Sequence, residues 1–288
     1  MEDLQERAER LFASMASCEV CPRRCRVNRL AGEVGFCGTG DEALVSSVGP
    51  HFGEEDVLVG HGGSGTIFLA GCNLGCIFCQ NSEISHGREG RPCTPEVIAG
   101  LMLRLELHGC HNINFVTPTH VTPQLMKAIL IARARGLRVP IVYNCGGYES
   151  LDTLRALEGL VEIYMPDAKY AASGPALELS GAPDYPEVNR AALREMHRQV
   201  GDLEIRDGIA VRGLLVRHLV LPNDMAGSRA VLDFIATEIS PRTYVNVMAQ
   251  YRPCYRAGEC PKIARPPTRE EFRQAYDHAA SLGLRLAR

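Results

Sequence analysis

From residue 64 to its end the chain repeats one unit: an apolar strand-like run, a loop, then a helical stretch. The apolar runs fall at 66–70, 112–116, 139–143, 161–165, 210–221 and 243–248. Helical stretches open at Thr94-Pro95-Glu96 and Thr122-Pro123, then span 150–157, 190–199 and 228–238, with a last one from Thr268 to near Gly283. Thr94 is suited to cap its helix and Pro95 to occupy the first turn. Six such units with continuous apolar strands predict a parallel sheet covered by helices. Periodicity alone leaves an open doubly wound sheet and part of a barrel both standing. The unusual residues decide for the barrel. They fall at the C-terminal strand ends (Cys72, 117–120, 144–147, 167–169, Asn223, Gln250), which a barrel gathers on one face. The expected fold is therefore α/β: a partial (β/α)6 TIM-like barrel over 64–288, carrying a C-terminal helix, with a small cysteine-rich N-terminal extension over 1–63. In that extension Leu4, Ala8, Leu11, Phe12 and Met15 recur at helical spacing. Residues 43–48 and 57–59 read as strand pieces of a lead-in hairpin.

The opening residues are charged and resemble no signal peptide, and no apolar run approaches the roughly 18 residues that span a bilayer. A cytoplasmic protein without a membrane partner is expected. The net charge of -3 offers no attraction to a polyanion, and Arg23-Arg24-Cys25-Arg26 reads as a solvated face, so no nucleic-acid partner is expected.

Twelve cysteines in a reducing compartment are not expected to be six disulfides. Seven of them form two groups at the short intervals of metal or cluster ligands: Cys18, Cys21, Cys25 and Cys37, then Cys72, Cys76 and Cys79. Three thiols in a Gly-punctuated loop leave one coordination position open, and chemistry happens at an open position. A zinc site completed by His86 or another distant residue is the alternative. Four thiols instead close a site, which signals structure or electron storage; zinc and a second iron–sulfur cluster both satisfy it. Cys254 and Cys260 are too weakly patterned to assign.

The spacing C-x3-C-x2-C, with Phe78 immediately before the last cysteine, resembles that of radical SAM enzymes. From about residue 41 onward the chain looks like the branch related to the pyruvate formate-lyase activating enzyme, through Ser64-Gly65-Thr66-Ile67-Phe68 and Cys79-Gln80-Asn81. The resemblance implies that Cys72, Cys76 and Cys79 ligate a [4Fe–4S] cluster whose fourth iron is chelated by S-adenosylmethionine. The backbone around Phe78 would contact adenine. Where the family has Gly-Gly-Glu-Pro this chain has Thr117-Pro118-Thr119-His120, so the hydroxyls of Thr117 and Thr119 are the candidates for the methionine ammonium. Asn144 lies in a turn similar to the family's Thr-Asn-Gly. Asp167-Ala168-Lys169 resembles the Asp-x-Lys signature of glycyl-radical activases. Arg217, in a stretch similar to Arg-His-Leu-Val-x-Pro-Gly, must reach an anion from an otherwise apolar strand.

The candidate catalytic residues are Asp167, Lys169, Cys145 and His120. Cys145 reads either as a participant beside the radical or as a small buried hydrophobe. His120 either faces the substrate or caps the following helix. Glu54, Glu55, Asn246 and Gln250 are substrate-contact candidates. The implied activity is reductive cleavage of S-adenosylmethionine to a 5′-deoxyadenosyl radical. That radical abstracts hydrogen from a substrate, either a glycine of a partner protein, as in an activase, or a small molecule or other macromolecule. An electron donor such as flavodoxin or ferredoxin is implied. A non-catalytic iron–sulfur or zinc scaffold is the reading from another class.

Overall fold

The computed structural model describes residues 3–287; Met1 and Glu2 of the expected N-terminal unit, and Arg288 of the barrel unit, lie outside the described residues. The chain begins with helix α1 (Leu4–Ala13), which lays Ala8 into the main core. Arg7 beside it donates to the carbonyls of Arg155 and Glu158 at 3.2 and 2.9 Å. Strand β1 (Ala43–His51), one-turn helix α2 (Asp56–Val59) and strand β2 (Ser64–Leu69) follow. Beyond the cysteine loop come α3 (Ser82–Ser85), β3 (Arg91–Cys93), α4 (Pro95–Leu107), β4 (Ile113–Val116), α5 (Thr122–Ala134) and β5 (Ile141–Cys145). The second half adds α6 (Leu151–Ala156), β6 (Ile163–Pro166), α7 (Ser173–Ser180), α8 (Tyr185–Val200), β7 (Glu204–Arg206) and β8 (Ile209–Leu219). It ends with α9 (Ser228–Phe234), β9 (Tyr244–Met248), α10 (Arg269–Ser281) and β10 (Arg285–Leu286).

The sheet order is β10-β9-β8-β6-β5-β4-β2-β1-β3. Pairing is parallel at every step from β2 to β10. The six expected strands therefore lie side by side in chain order. Right-handed crossovers between sequential neighbours put their helices on one face, whereas a doubly wound sheet reverses its order at a switch point. No reversal occurs, so the fold is α/β with a mostly parallel, barrel-like arc. At the β2 end β1 adds antiparallel, with Val48 opposite Ile67, and β3 adds antiparallel to β1, so the arc stops rather than closing.

The segment 57–59 is a correction. It forms the helical turn α2 rather than a strand of a hairpin. β1 takes the free edge of β2, so the N–H groups of Leu58 and Val59 find a partner locally, in the Glu55 carbonyl at 2.7 and 3.3 Å.

Alternation along the strands divides the interior. Ile141 and Tyr143 face the helices in the main core, while Val142 between them joins Ile163, Met165, Leu215 and Leu58 on the other face. That second cluster fills the inside of the arc and leaves its C-terminal end to polar residues. Among the described residues, no helix is long and apolar enough to cross a membrane.

Candidate functional site

β2 runs directly into the cysteine loop. Gly71 turns the chain at φ +83°, and a Cβ there would stand 2.7 Å from the Cys37 carbonyl oxygen and 2.9 Å from Thr39 Oγ1. Only glycine lets the loop pass so close beneath the N-terminal element. Each thiol of the loop meets at least one hydrogen-bond donor. Leu74 N–H donates to Cys72 Sγ at 3.3 Å, Ser180 Oγ to Cys76 Sγ at 3.1 Å, and Ser85 Oγ to Cys79 Sγ at 3.1 Å.

Burial, and then the neighbouring Cys76, pushes the Cys72 thiol up to about 12. Burial raises Cys76 too, against the opposing charge of Lys169. Such thiols stay protonated unless a bound cation claims the sulfur. Three sulfurs with donors aimed at them suit thiolate ligands, whose anionic charge strengthens those bonds and whose redox potential the bonds tune. His86 does not complete a zinc set. Its Nε2 lies 3.1 Å from the Cys76 carbonyl oxygen and its ring stacks on Tyr255 at 4.4 Å. Among the described residues no three His, Cys, Asp or Glu side chains gather as the shell of a single ion.

The loop opens onto a cavity of about 360 Å3, walled by the strand ends Thr117, Asn144, Cys145, Asp167, Lys169, Arg217 and Met248. A second space of about 740 Å3 adjoins it through Glu54, Arg217, Met248 and Gln250, and adds Glu55, Asp56 and Asn246. One charged network ties the wall together. Arg217 Nε donates to Asp167 Oδ1 at 2.9 Å, and Arg217 Nη2 to Asn144 Oδ1 at 2.7 Å. Lys169 Nζ reaches Asp167 Oδ2 at 2.5 Å, and Glu54 Oε2 lies 4.0 Å from Arg217 Nη1. Burial alone would raise the Asp167 carboxyl, but Arg217 and Lys169 outweigh it and hold it below the ordinary range. Burial likewise opposes the charge on Lys169, and Asp167 reverses the effect. The Glu54 carboxyl goes up, because its burial exceeds what Arg217 returns.

Helix α8 holds two of these strand ends in register. Asn189 Nδ2 donates to the carbonyls of Gly147 and Asp167, each at 2.9 Å. Gly147 sits at φ +74°, where a Cβ would fall 2.1 Å from the Asp167 carbonyl oxygen. The turn after β5 and the loop after β6 approach that closely only with glycine there.

The structure brings most of the expected site residues to this cavity. Phe78 lines it while edging against Tyr170 and Tyr251, so it is core and wall together. Cys145 lines it as well, with a thiol that burial and then Glu149 push well up. Thr119 and His120 are corrections. Thr117 is left-handed at φ +61°, and the tight turn Thr119–Val121 then carries the next side chains behind the wall. Thr119 Oγ1 donates to Glu149 Oε1 at 2.8 Å. His120 is buried against the Ala70 carbonyl at 2.8 Å; it neither faces the cavity nor caps α5. Arg217 lines the cavity with its Nε and Nη2 held by Asp167 and Asn144, so the network fixes the direction of its guanidinium.

Glu149 escaped the sequence reading. It is buried, accepts from Thr119 and, at 3.1 Å, from Tyr143 Oη, and burial lifts it to about 7. A signal existed, because Glu149 is the one carboxylate between Glu106 and Asp152.

Cys18, Cys21, Cys25 and Cys37 come together on a separate, smaller cavity with Arg23, Arg29 and His120. Cys254 and Cys260 form no ligand set; Cys260 Sγ lies 3.5 Å from Glu178 Oε1.

The family model described as "Radical SAM superfamily" matches residues 66–167. The uncharacterized protein MJ0674 of Methanocaldococcus jannaschii is 32% identical over 278 residues, covering 94% of this chain and 76% of that protein. A radical SAM methyltransferase from Sphaerobacter thermophilus superposes over 99% of this chain and 93% of its own, with TM-score 0.53 and 14% identity. SuiB of Streptococcus suis, solved with S-adenosylmethionine bound, covers 75% of this chain and 47% of its own, with TM-score 0.51 and 10% identity. At such identities the two solved structures speak for the fold alone.

Proposed function

This chain belongs to the radical SAM superfamily, and from that premise we propose that it aims a 5′-deoxyadenosyl radical at a substrate held in the acid-lined space beside the cysteine loop. One observation carries the reading. Three donor-supported thiols open onto the cavity where the polar end of β5 meets the charged ends of β6 and β8. The family implies a [4Fe–4S] cluster and S-adenosylmethionine, and the cluster supplies the one electron that splits the sulfonium into methionine and the radical.

Cys72, Cys76 and Cys79 would hold that cluster. Lys169 and Arg217 offer positive charge for the methionine carboxylate. The Thr117 hydroxyl accepts from its ammonium, and the backbone around Phe78 serves adenine. Asp167 keeps both cations oriented, since buried charges need partners. Phe78, Leu74 and Met248 add apolar wall that limits water around a reactive species. A flavodoxin or ferredoxin is the electron donor that such chemistry calls for.

The activase reading, with a glycine of a partner protein as the target, rests on the Asp167-x-Lys169 pair in the cavity wall. A small cationic substrate is the second reading. Its support is the adjoining space, lined by Glu54, Glu55 and Asp56.

The test uses anaerobically reconstituted protein with reductant and S-adenosylmethionine. 5′-Deoxyadenosine is expected from the wild type and not from Cys72→Ala; equal yields from both would leave only a scaffold. Deuterium transferred into 5′-deoxyadenosine from labelled peptide, and not from labelled amines, selects the activase. The opposite transfer selects the small substrate.

A further inference from the structure

We infer that the N-terminal element holds a second metal centre, a closed and permanently anionic set of four thiolates, which balances the buried Arg29 and seats the cysteine loop of the barrel. The inference does not depend on the chemistry at Cys72, Cys76 and Cys79.

The first observation is convergence. Cys18, Cys21, Cys25 and Cys37 line one cavity and all four are free. The backbone is folded to bring them there. Cys18 N–H donates to the Val27 carbonyl at 3.0 Å, and Arg26 N–H to the Cys18 carbonyl at 2.9 Å. Arg24 and Arg26 adopt left-handed backbone at φ +42° and +56°, a conformation that side chains rarely hold without compensation. Phe36 N–H is aimed at Cys25 Sγ at 3.4 Å.

The second observation is a charge without a counter-ion. Arg29 is 1% exposed. Its Nε and Nη2 donate to the Gly40 carbonyl at 3.0 and 2.7 Å, and its Nη1 to the His120 carbonyl at 2.7 Å. Among the described residues no carboxylate pairs with it. Carbonyls solvate a guanidinium but do not neutralise it, and a buried charge is costly until paired. The ionisable acceptor it does reach is Cys18 Sγ, at 3.8 Å. A metal-bound thiolate stays ionised and supplies the missing negative charge. Four thiolates around a divalent ion, or around an iron–sulfur cubane, remain anionic overall.

His120 adds a third observation. Its Nε2 can only donate to the Ala70 carbonyl, so the neutral ring carries its lone pair on Nδ1. That atom is buried on the wall of the same cavity and has no partner.

The consequence reaches the barrel through Arg23, which lies between Cys21 and Cys25. Its guanidinium donates to the carbonyls of Asn73 (2.8 Å), Leu74 (2.9 Å), Ser180 (2.8 Å) and Gly181 (2.6 Å), and lies 4.0 Å over the Phe36 ring. Asn73 and Leu74 stand between Cys72 and Cys76, and Ser180 is the donor to Cys76 Sγ. Arg23 is thus a positioning residue whose footing is the second centre.

The shared chemistry is that of a thiophilic metal. As they stand the thiols are not closed on one ion; zinc would draw them in and a cubane would spread them, and elemental analysis separates the two. The test is the full-length variant Cys72→Ala/Cys76→Ala/Cys79→Ala, purified without oxygen, analysed for metal and by X-ray absorption. We expect about one zinc, or about four irons with sulfide, per chain, bound by sulfur. A folded variant that stays metal-free after reconstitution overturns the inference. Should that variant fail to fold, the wild type decides. Metal beyond the four irons of a single cubane supports the second centre, and its absence overturns it. Arg29→Gln should weaken metal retention at least about tenfold while Arg29→Lys preserves it; equal retention in both overturns the charge pairing.

Discussion

At the barrel mouth three thiols border about 360 Å3 of space among eight charged or amide side chains, whereas in the N-terminal element four thiols surround about 10 Å3, the room of roughly one water molecule. Both groups receive donors on sulfur, and both are pressed by basic residues. They differ in the wall opposite the sulfurs. Lys169, Arg217 and Asp167 face the three, poised to bind something that comes and goes. Arg29, His120 and the apolar Val20, Val27 and Phe36 line the four, in a space too small for a substrate. Thiol count and the size of the space agree in each region, which is what the proposed division between a place for reaction and a place for holding requires.

The largest expected effect tests that separation directly. Cys76→Ala should reduce 5′-deoxyadenosine formation by at least about a hundredfold, a loss like that of other residues acting directly on the reacting group. Cys25→Ala should leave clearly more activity than Cys76→Ala, because it disturbs seating rather than the reaction; equal losses would break the comparison. Next comes the charged wall. Asp167→Ala strands Lys169 and Arg217 without their carboxylate, and breaking a buried pair costs about 3–5 kcal/mol. Urea unfolding of the variant should register that loss, and a loss under about 1 kcal/mol would make the network a solvated one.

The smallest and sharpest effect concerns Glu149, whose burial lifts its carboxyl from its ordinary 4.5 to about 7. Folding then favours the protonated acid. That stability is fully present below about pH 4.5 and is lost as pH rises through about 7, on the order of 3 kcal/mol in all. Glu149→Gln should remove this slope, so the difference in unfolding free energy between wild type and variant changes across that window. A flat difference would mean that the acid is already ionised in the fold.

Much of this organisation was legible in the sequence because it rests on patterns of short range. Six apolar runs with helices between them specify a parallel sheet, and three cysteines within eight residues specify one loop. The C-terminal placement of Asn144, Asp167 and Lys169 followed from strand ends alone, and Arg217 stood out as a cation within an apolar strand. What escaped depended on backbone rotation and on distant partners. Thr119 and His120 lay in the expected place, but the left-handed Thr117 turned them inward, and no periodicity reports such a turn. Residues 57–59 have strand-like composition, yet β1 occupied the edge they would have needed. Arg29 belongs to no motif that singles it out; only the fold shows that it is buried without an acid.

Because β1 and β3 extend the arc instead of sealing it, the sheet keeps two free ends, and the hydrogen bond from Asn246 Nδ2 on β9 to Glu55 Oε1 after β1, at 2.9 Å, joins the two sides of the arc through side chains. An open arc is tied at that point by side chains rather than by a ladder of backbone hydrogen bonds, so two substitutions at most separate its sides.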